Sequence, residues 1–294
     1  MSKTRSGFVS LAGRPNVGKS TLVNAIVGHK VAIVSDKPQT TRRAIRGVAT
    51  GPDWQLILTD LPGVQRPRDP LTERMQRKVE SELADADAAL MLLNGEQGVG
   101  GPGDRFIAEA LVRSPVPVVV AVNKVDRLNH TRLVEALQAA ADLGLDAEVY
   151  PISARTGKGV ARLVDHLSAL LPESPFLFPP EDRSDQSERV MLAELVREQV
   201  LRRTRQEVPH AVEVQVDEVV ENDERITVTA LLWTETESQK GILIGKGGAM
   251  IKAIGTAARK ELERELESRV HLELSVRVRR SWRADDALLD RLGI

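Results

Sequence analysis

Eight consecutive residues, Gly13-Arg14-Pro15-Asn16-Val17-Gly18-Lys19-Ser20, restrict what this chain can fold into more than any other stretch of it. They follow a buried apolar run, Phe8 to Ala12, and lead through Thr21 into a helix-forming segment. A glycine-rich turn set between a strand and a helix lets backbone N–H groups close round phosphates without side chains in the way. In that context Lys19 would sit on the β and γ phosphates, and the Ser20 hydroxyl would ligate magnesium. Such a turn works only when a sheet and a helix hold it rigidly, so the rest of the segment should be an α/β scaffold.

The apolar pattern agrees. Phe8 to Ala12, Leu56 to Leu58, Ala88 to Leu93, Val116 to Val122 and Val149 to Ile152 read as buried strands, alternating with helix-period stretches. That alternation predicts a mostly parallel sheet flanked by helices. A proline-rich, aperiodic segment containing Pro172, Pro175, Pro179 and Pro180 then interrupts it, and 294 residues suit two cores better than one. We therefore expect a domain over 1–172, a linker over 173–187 and a second domain over 188–294. The second should be α+β: a helix near Glu188 to Gln206, strands at Val212 to Val219 and Arg225 to Trp233, a glycine-rich turn inside a helical pair, and a last strand at Val270 to Val278. With no cysteine, neither disulfides nor thiolate metal sites are available, which points to a reducing, cytoplasmic setting. Arg14 follows the first apolar run too closely for a signal-peptide core, and Val116 to Val122 falls far short of the roughly 18 residues that span a bilayer.

Further motifs fall at the expected strand ends. Asp60-Leu61-Pro62-Gly63 ends the second apolar run, aiming a carboxylate at the metal and a glycine N–H at a γ-phosphate. Asn123-Lys124-Val125-Asp126 follows the fourth. An aspartate only accepts hydrogen bonds, and guanine offers N1–H and a 2-amino group as paired donors where adenine has no such pair, so Asp126 selects guanine. Ser153-Ala154, after the last run, would complete the base pocket with a backbone N–H near the guanine oxygen. In this order the four elements resemble the GTPase superfamily. The resemblance implies binding of GTP and GDP with Mg2+. It also implies a first switch at Gln39-Thr40-Thr41-Arg42-Arg43, in which Thr40 or Thr41 meets magnesium. Lys19, Asn16, Gly63 and the switch threonines are then the groups expected to act on the transferred phosphoryl. Where many GTPases carry a water-orienting glutamine the chain has Val64, with Gln65 one place on. GTPases with Asn at the position of Asn16 often use a potassium ion near the phosphates, which the resemblance extends to this chain. Leu61 departs from the threonine usual in relatives, but the motif's chemistry lies in Asp60 and the Gly63 N–H.

Beyond Pro172 acids outnumber bases, so any nucleic-acid contact there must come from local chemistry rather than bulk charge. Ile242-Leu243-Ile244-Gly245-Lys246-Gly247-Gly248-Ala249-Met250-Ile251 places a Gly-Xaa-Xaa-Gly turn between apolar flanks. KH domains clamp about four nucleotides of backbone with that arrangement, and the element order resembles the bacterial, type II KH domain. Lys240, Lys246 and Lys252, with Arg259 beside them, would supply the local positive charge. The charged run Arg259 to Glu267 reads as a solvated helical face, and the scattered histidines lack metal-ligand spacing. Arg277, Arg279, Arg280 and Arg283 cluster round Trp282, either as a second RNA surface or as a tail packed back on the acidic domain.

One phosphate loop, one terminal KH turn, the linker Pro175-Phe176-Leu177-Phe178-Pro179-Pro180-Glu181-Asp182 and the closing Val278-Arg279-Arg280-Ser281-Trp282-Arg283 together resemble the Era family along essentially the whole chain. The resemblance implies a monomeric GTP-hydrolysing factor that binds the 3′ end of small-subunit ribosomal RNA and the maturing small ribosomal subunit. It also implies peripheral association with the inner face of the cell membrane.

Overall fold

The computed structural model describes residues 4–37, 39–64, 67, 69–222 and 224–294. They form two compact units. The first comprises 1–32, 41–68 and 72–185; the second comprises 186–294 together with the short segments Ile33–Thr40 and Asp69–Leu71.

In the first unit the chain runs β1 (Arg5–Ala12), α1 (Lys19–Val27), β2 (Ile45–Thr50), β3 (Trp54–Asp60), α2 (Pro70–Ala84), β4 (Ala88–Asn94), α3 (Pro102–Val112), β5 (Val118–Asn123), α4 (His130–Ala141), β6 (Val149–Pro151) and α5 (Val160–Leu170). The strands make one sheet in the order β2-β3-β1-β4-β5-β6. Every pairing is parallel except that of β2 with β3. All seven residues of β4, Ala88 to Asn94, are buried, as a central strand covered on both faces requires. Burying Leu90, Met91, Leu92 and Leu93 there contributes roughly 1.5 to 3 kcal/mol per side chain. The apolar pattern misses β2, because Gly47 breaks its run. That glycine has a packing role: a Cβ there would meet Val23 and Val27 of α1 at 2.8 Å. The carboxyl ends of β1, β3, β5 and β6 all lie at one edge of the parallel sheet, where ligands of open α/β folds bind.

The second unit holds α6 (Glu188–Arg203), α7 (Val208–Ala211), β7 (Glu213–Glu221), β8 (Ile226–Thr234), α8 (Glu237–Ile244), α9 (Ala249–Glu265), β9 (Val270–Val278) and α10 (Asp286–Leu292). Its sheet, β7-β8-β9, pairs β7 antiparallel and β9 parallel to the central β8. Along β9 buried or half-buried residues alternate with exposed ones, the signature of a sheet with one wet face. The apolar face packs on α6, α8 and α9 through Val196, Val200, Leu243, Ile254, Ala258 and Leu262, all fully buried. The predicted order of helix, two strands, helical pair and strand is therefore present, joined by α7 and α10, two short helices whose apolar periodicity is too brief to read.

Candidate functional site

The loop Gly13–Gly18 joins β1 to α1 and is held from three sides. Gly18 takes φ +104°, and a Cβ there would lie 2.4 Å from Asn123 Nδ2, so both conformation and space require glycine. Gly13 is as crowded, its missing Cβ falling 2.6 Å from the Leu92 carbonyl. Asn123 Nδ2 donates to the Val17 carbonyl at 2.8 Å, while its Oδ1 accepts the Ala154 N–H at 2.9 Å. One side chain thus ties the phosphate loop to the Ser153-Ala154 turn. Arg14 points its guanidinium to the buried Asp104 of α3, at 2.7 Å, and contributes its carbonyl to the loop. Asn16 adopts φ +62°, a left-handed conformation that Asn tolerates better than most residues.

Lys19 is 6 % exposed and donates to the carbonyls of Gly13 and Arg14 at 3.1 and 3.3 Å. Burial pulls its ammonium down to about 8, against the opposing attraction of Asp60. Next to it three oxygens converge. Ser20 Oγ donates to Asp60 Oδ2 at 2.6 Å, Thr41 Oγ1 donates to the same oxygen at 3.1 Å, and the two hydroxyls lie 3.2 Å apart. Two hydroxyls and one carboxylate suit Mg2+, which takes few protein ligands and completes its octahedron with water and phosphate oxygens. Thr40 is turned elsewhere: its Oγ1 donates to the Lys37 carbonyl at 2.7 Å, and its own carbonyl accepts from the buried Arg197 of the same unit. Leu61 and Pro62 are buried, and Gly63 lies so close to the phosphate loop that a Cβ would meet the Pro15 nitrogen at 2.7 Å. The Val64 N–H donates to the Gly13 carbonyl, joining the two motifs directly. Val64 itself is packed in the core, and Gln65 lies outside the described residues.

At the base end, Asp126 accepts from Ser153 Oγ at 2.7 Å and from Arg155 at 2.5 Å. The Ser153 hydrogen bond first, and then Arg155, hold its carboxyl below the usual aspartate range. Lys124, at φ +67°, reaches Glu96 at 3.7 Å, and Glu96 also pairs with Arg127 at 2.7 Å. Val125 is buried beneath them. Neither Glu96 nor Arg155 belongs to a recognisable motif. Arg155 could have been found only by its place directly after Ser153-Ala154, and Glu96 by no local signal.

In the second unit the Gly-Xaa-Xaa-Gly turn stands between α8 and α9. Gly245, Gly247 and Gly248 take φ of +73°, +60° and +79°, and a Cβ at Gly245 would meet Met250 at 2.8 Å. Around Gly247 and Gly248 there is open space, so conformation rather than crowding selects glycine there. A capping box at Thr236 and Gln239 fixes the start of α8. Lys246 is exposed at the turn, Lys240 half-buried on α8, and Lys252 exposed on the first turns of α9. Beside the turn, α9 and β9 enclose a groove of about 430 Å3 floored by Ile251, Leu272 and Leu274 and edged by Lys252, Arg259 and His271. The arginine cluster is divided. Arg279 is paired with Asp285 and lies over the Trp233 ring, Arg283 pairs with Glu235 at 2.7 Å, and Trp282 is buried with its Nε1 donating to the Ala211 carbonyl. Arg277 and Arg280 are exposed.

Residues 8–124 match the family model described as 50S ribosome-binding GTPase, and residues 207–283 match that of the KH domain. The chain is 45 % identical over 300 aligned positions to GTPase Era of Mycobacterium avium (strain 104), covering all of both chains. Against GTPase Era of Mycobacterium tuberculosis (strain ATCC 25177 / H37Ra) it is 45 % identical over 301 positions, again over the full length of each. Among solved structures it is similar to Era in complex with MgGDPNP and nucleotides 1506–1542 of 16S ribosomal RNA, with a TM-score of 0.94, 34 % identity and 99 % of each chain covered. A variant of Aquifex aeolicus Era bound to GDP and aluminium fluoride gives the same TM-score, identity and coverage.

Proposed function

The chain belongs to the Era family of GTPases, and on that premise we propose that it binds small-subunit ribosomal RNA near its 3′ end and acts in maturation of the small ribosomal subunit. The observation that carries the proposal is the presence, in one chain, of a GTPase domain and a KH domain with an exposed Gly-Xaa-Xaa-Gly turn. A relative with 34 % identity over 99 % of the chain was solved with this class of RNA. Crosslinking in cells followed by sequencing of the attached RNA tests it: reads should pile up at the 3′ end of 16S ribosomal RNA, and enrichment of other transcripts instead would overturn the assignment.

Phosphoryl transfer asks for charge stabilisation and alignment more than for covalent chemistry. In our reading, Lys19 neutralises the β and γ phosphates, and the N–H of Gly63 faces the γ-phosphate from across the loop. Ser20, Asp60 and Thr41 would hold Mg2+, which when bound would screen the phosphate charge. The 3.1 Å approach of Thr41 to Asp60, against the diversion of Thr40 to Lys37, supports Thr41 as the switch ligand. Gly13 to Thr21 enclose the phosphates, and Asn123, Lys124, Asp126, Ser153 and Ala154 hold the guanine. With the core-packed Val64 in place of a glutamine, no side chain there can orient the water. We therefore propose a potassium ion near the phosphates, held in part by the side-chain carbonyl of Asn16, an oxygen donor suited to a hard cation. RNA would lie along Gly245, Lys246, Gly247 and Gly248, flanked by Lys240 and Lys252, with the exposed Arg280, and Arg279 beside it, as a further contact. The same proposal makes the protein a cytoplasmic monomer that touches the inner face of the membrane peripherally. No helix of the described residues is long and apolar enough to cross one.

A further inference from the structure

We propose that the groove between α6 and α9 is a second phosphate track, which carries an RNA strand past the short stretch clamped by the Gly245–Gly248 turn. The proposal rests on the RNA-binding reading above. The two helices pack against each other within the second unit, leaving a groove of about 620 Å3 with Arg203 on the α6 side and Lys252, Thr256 and Lys260 on the α9 side.

All three charged groups that line it are cations. Among the described residues, none of the three has a carboxylate within ion-pair distance. Arg203 bonds only to the uncharged Gln199, at 2.8 Å. Elsewhere in this acidic unit Arg259, Arg264, Arg279 and Arg283 each have a carboxylate partner. A groove that gathers unneutralised cations, in a domain that neutralises so many others, fits a polyanion.

Its dimensions and chemistry point to a nucleic-acid backbone. Lys252, Thr256 and Lys260 recur every four residues, so they stand on one face of α9. Lys252 and Lys260 are about 12 Å apart along the axis, the length of three to four stacked nucleotides at about 3.4 Å each. Between them Ala253 and Ala257 keep the floor shallow. No aromatic residue lines the groove, so it reads backbone and not bases. The Thr256 hydroxyl donates its hydrogen to the Lys252 carbonyl at 2.8 Å, leaving the exposed oxygen as an acceptor for a 2′-hydroxyl, the group that separates RNA from DNA. Lys252 also borders the groove between α9 and β9, so the two grooves share a rim immediately beyond the glycine turn.

The test uses the full chain, a five-nucleotide RNA from the 3′ end of 16S ribosomal RNA, and a twelve-nucleotide RNA that contains it. Affinities are measured by fluorescence anisotropy over a salt series for the parent, for the Arg203→Gln/Lys260→Gln double variant and for Lys246→Asp. The double variant should bind the twelve-mer more weakly, on the order of tenfold, with a salt slope shallower by about 1.4, which is 0.7 for each lost contact to single-stranded RNA. It should keep the parent's affinity for the five-mer and its GTP turnover. An unchanged slope with the twelve-mer overturns the track, as does an equal loss with both RNAs. Loss of binding to phosphatidylglycerol vesicles with RNA binding unchanged overturns it too, in favour of a lipid surface. If the parent binds neither RNA, it is the underlying RNA-binding reading that fails, and if Lys246→Asp holds both RNAs as tightly as the parent, the clamp does not lie at the glycine turn and the track that continues from it falls too.

Discussion

In the proposed function Asp126 carries the choice of base through two carboxylate oxygens, each already positioned by a neighbour, Ser153 on one and Arg155 on the other. Replacing it with Asn exchanges an acceptor for a donor. Asp126→Asn should weaken GTP by about 2 to 4 kcal/mol, the loss of a charge-assisted bidentate pair. It should favour xanthosine triphosphate, whose base has an oxygen where guanine has the 2-amino group; competition against a fluorescent GDP analogue measures both. Unchanged GTP affinity would remove Asp126 from the base pocket. Thr40 and Thr41 separate just as sharply. Thr41→Ala should raise the Mg2+ concentration needed for half-maximal turnover, whereas Thr40→Ala should leave it near the parent's value, and the reverse order would make Thr40 the metal ligand. Lys19 adds a pH dependence of known sign. Its pKa is 10.5 in an unfolded chain and about 8 when folded, so between those values the unfolded chain binds more protons. From this group, stability of the ligand-free protein therefore rises with pH from about 8 to 10.5. Phosphates need the protonated amine, so GDP affinity should fall over the same window. Calorimetry and titration across pH 7 to 10 should show the two trends opposed, and affinity that is flat with pH would take Lys19 off the phosphates.

Among the elements, the turn between α8 and α9 depends most on its backbone. Three glycines at positive φ lead into a 17-residue helix, whose aligned dipole favours an anion at its start. A carboxylate placed there opposes that field. Gly247→Asp adds the strain of a positive φ, and Lys246→Asp reverses a charge without it, so agreement between the two isolates the electrostatic effect. Both should lower affinity for single-stranded ribosomal RNA by an order of magnitude or more, while circular dichroism shows the fold retained. A folded variant that holds RNA as tightly as the parent would move the site to the exposed Arg277 and Arg280. The sheets differ for a related reason. β4, in the middle of a parallel sheet, is continuously apolar, whereas β9 alternates and leaves one face to solvent.

Across the whole molecule, the two kinds of chemistry reside in separate compact units, each with its own core. Variants in the glycine turn should accordingly leave GDP affinity within about twofold of the parent, since sites that share no partners act additively. The residue directly after Gly63 is the core-packed Val64 and not a glutamine, and our account of turnover relies on potassium. Steady-state GTP hydrolysis should be several-fold faster in potassium than in sodium chloride at equal ionic strength. Equal rates in the two salts would remove the potassium ion and leave Asn16 with only its backbone role at φ +62°.

The sequence by itself determined the ligand class, the order of the domains and the identity of the glycine turns, because each is written in a short contiguous stretch whose backbone conformation is local. The phosphate-loop turn needs a positive φ at Gly18, which glycine adopts without strain, and Asp126 follows Asn123 at a fixed spacing. Only the tertiary structure decided between neighbours and between charges. Thr40 and Thr41 are adjacent in the chain, but only packing settles which hydroxyl reaches Asp60. The tail arginines look equivalent as letters, yet Arg279 and Arg283 are neutralised by Asp285 and Glu235. Glu96 reaches Lys124 and Arg155 reaches Asp126, and Gly47 fits under α1, through neighbours far off in sequence. Side-chain direction and ion pairing are long-range properties, set by which elements the fold brings together, and no local pattern encodes them.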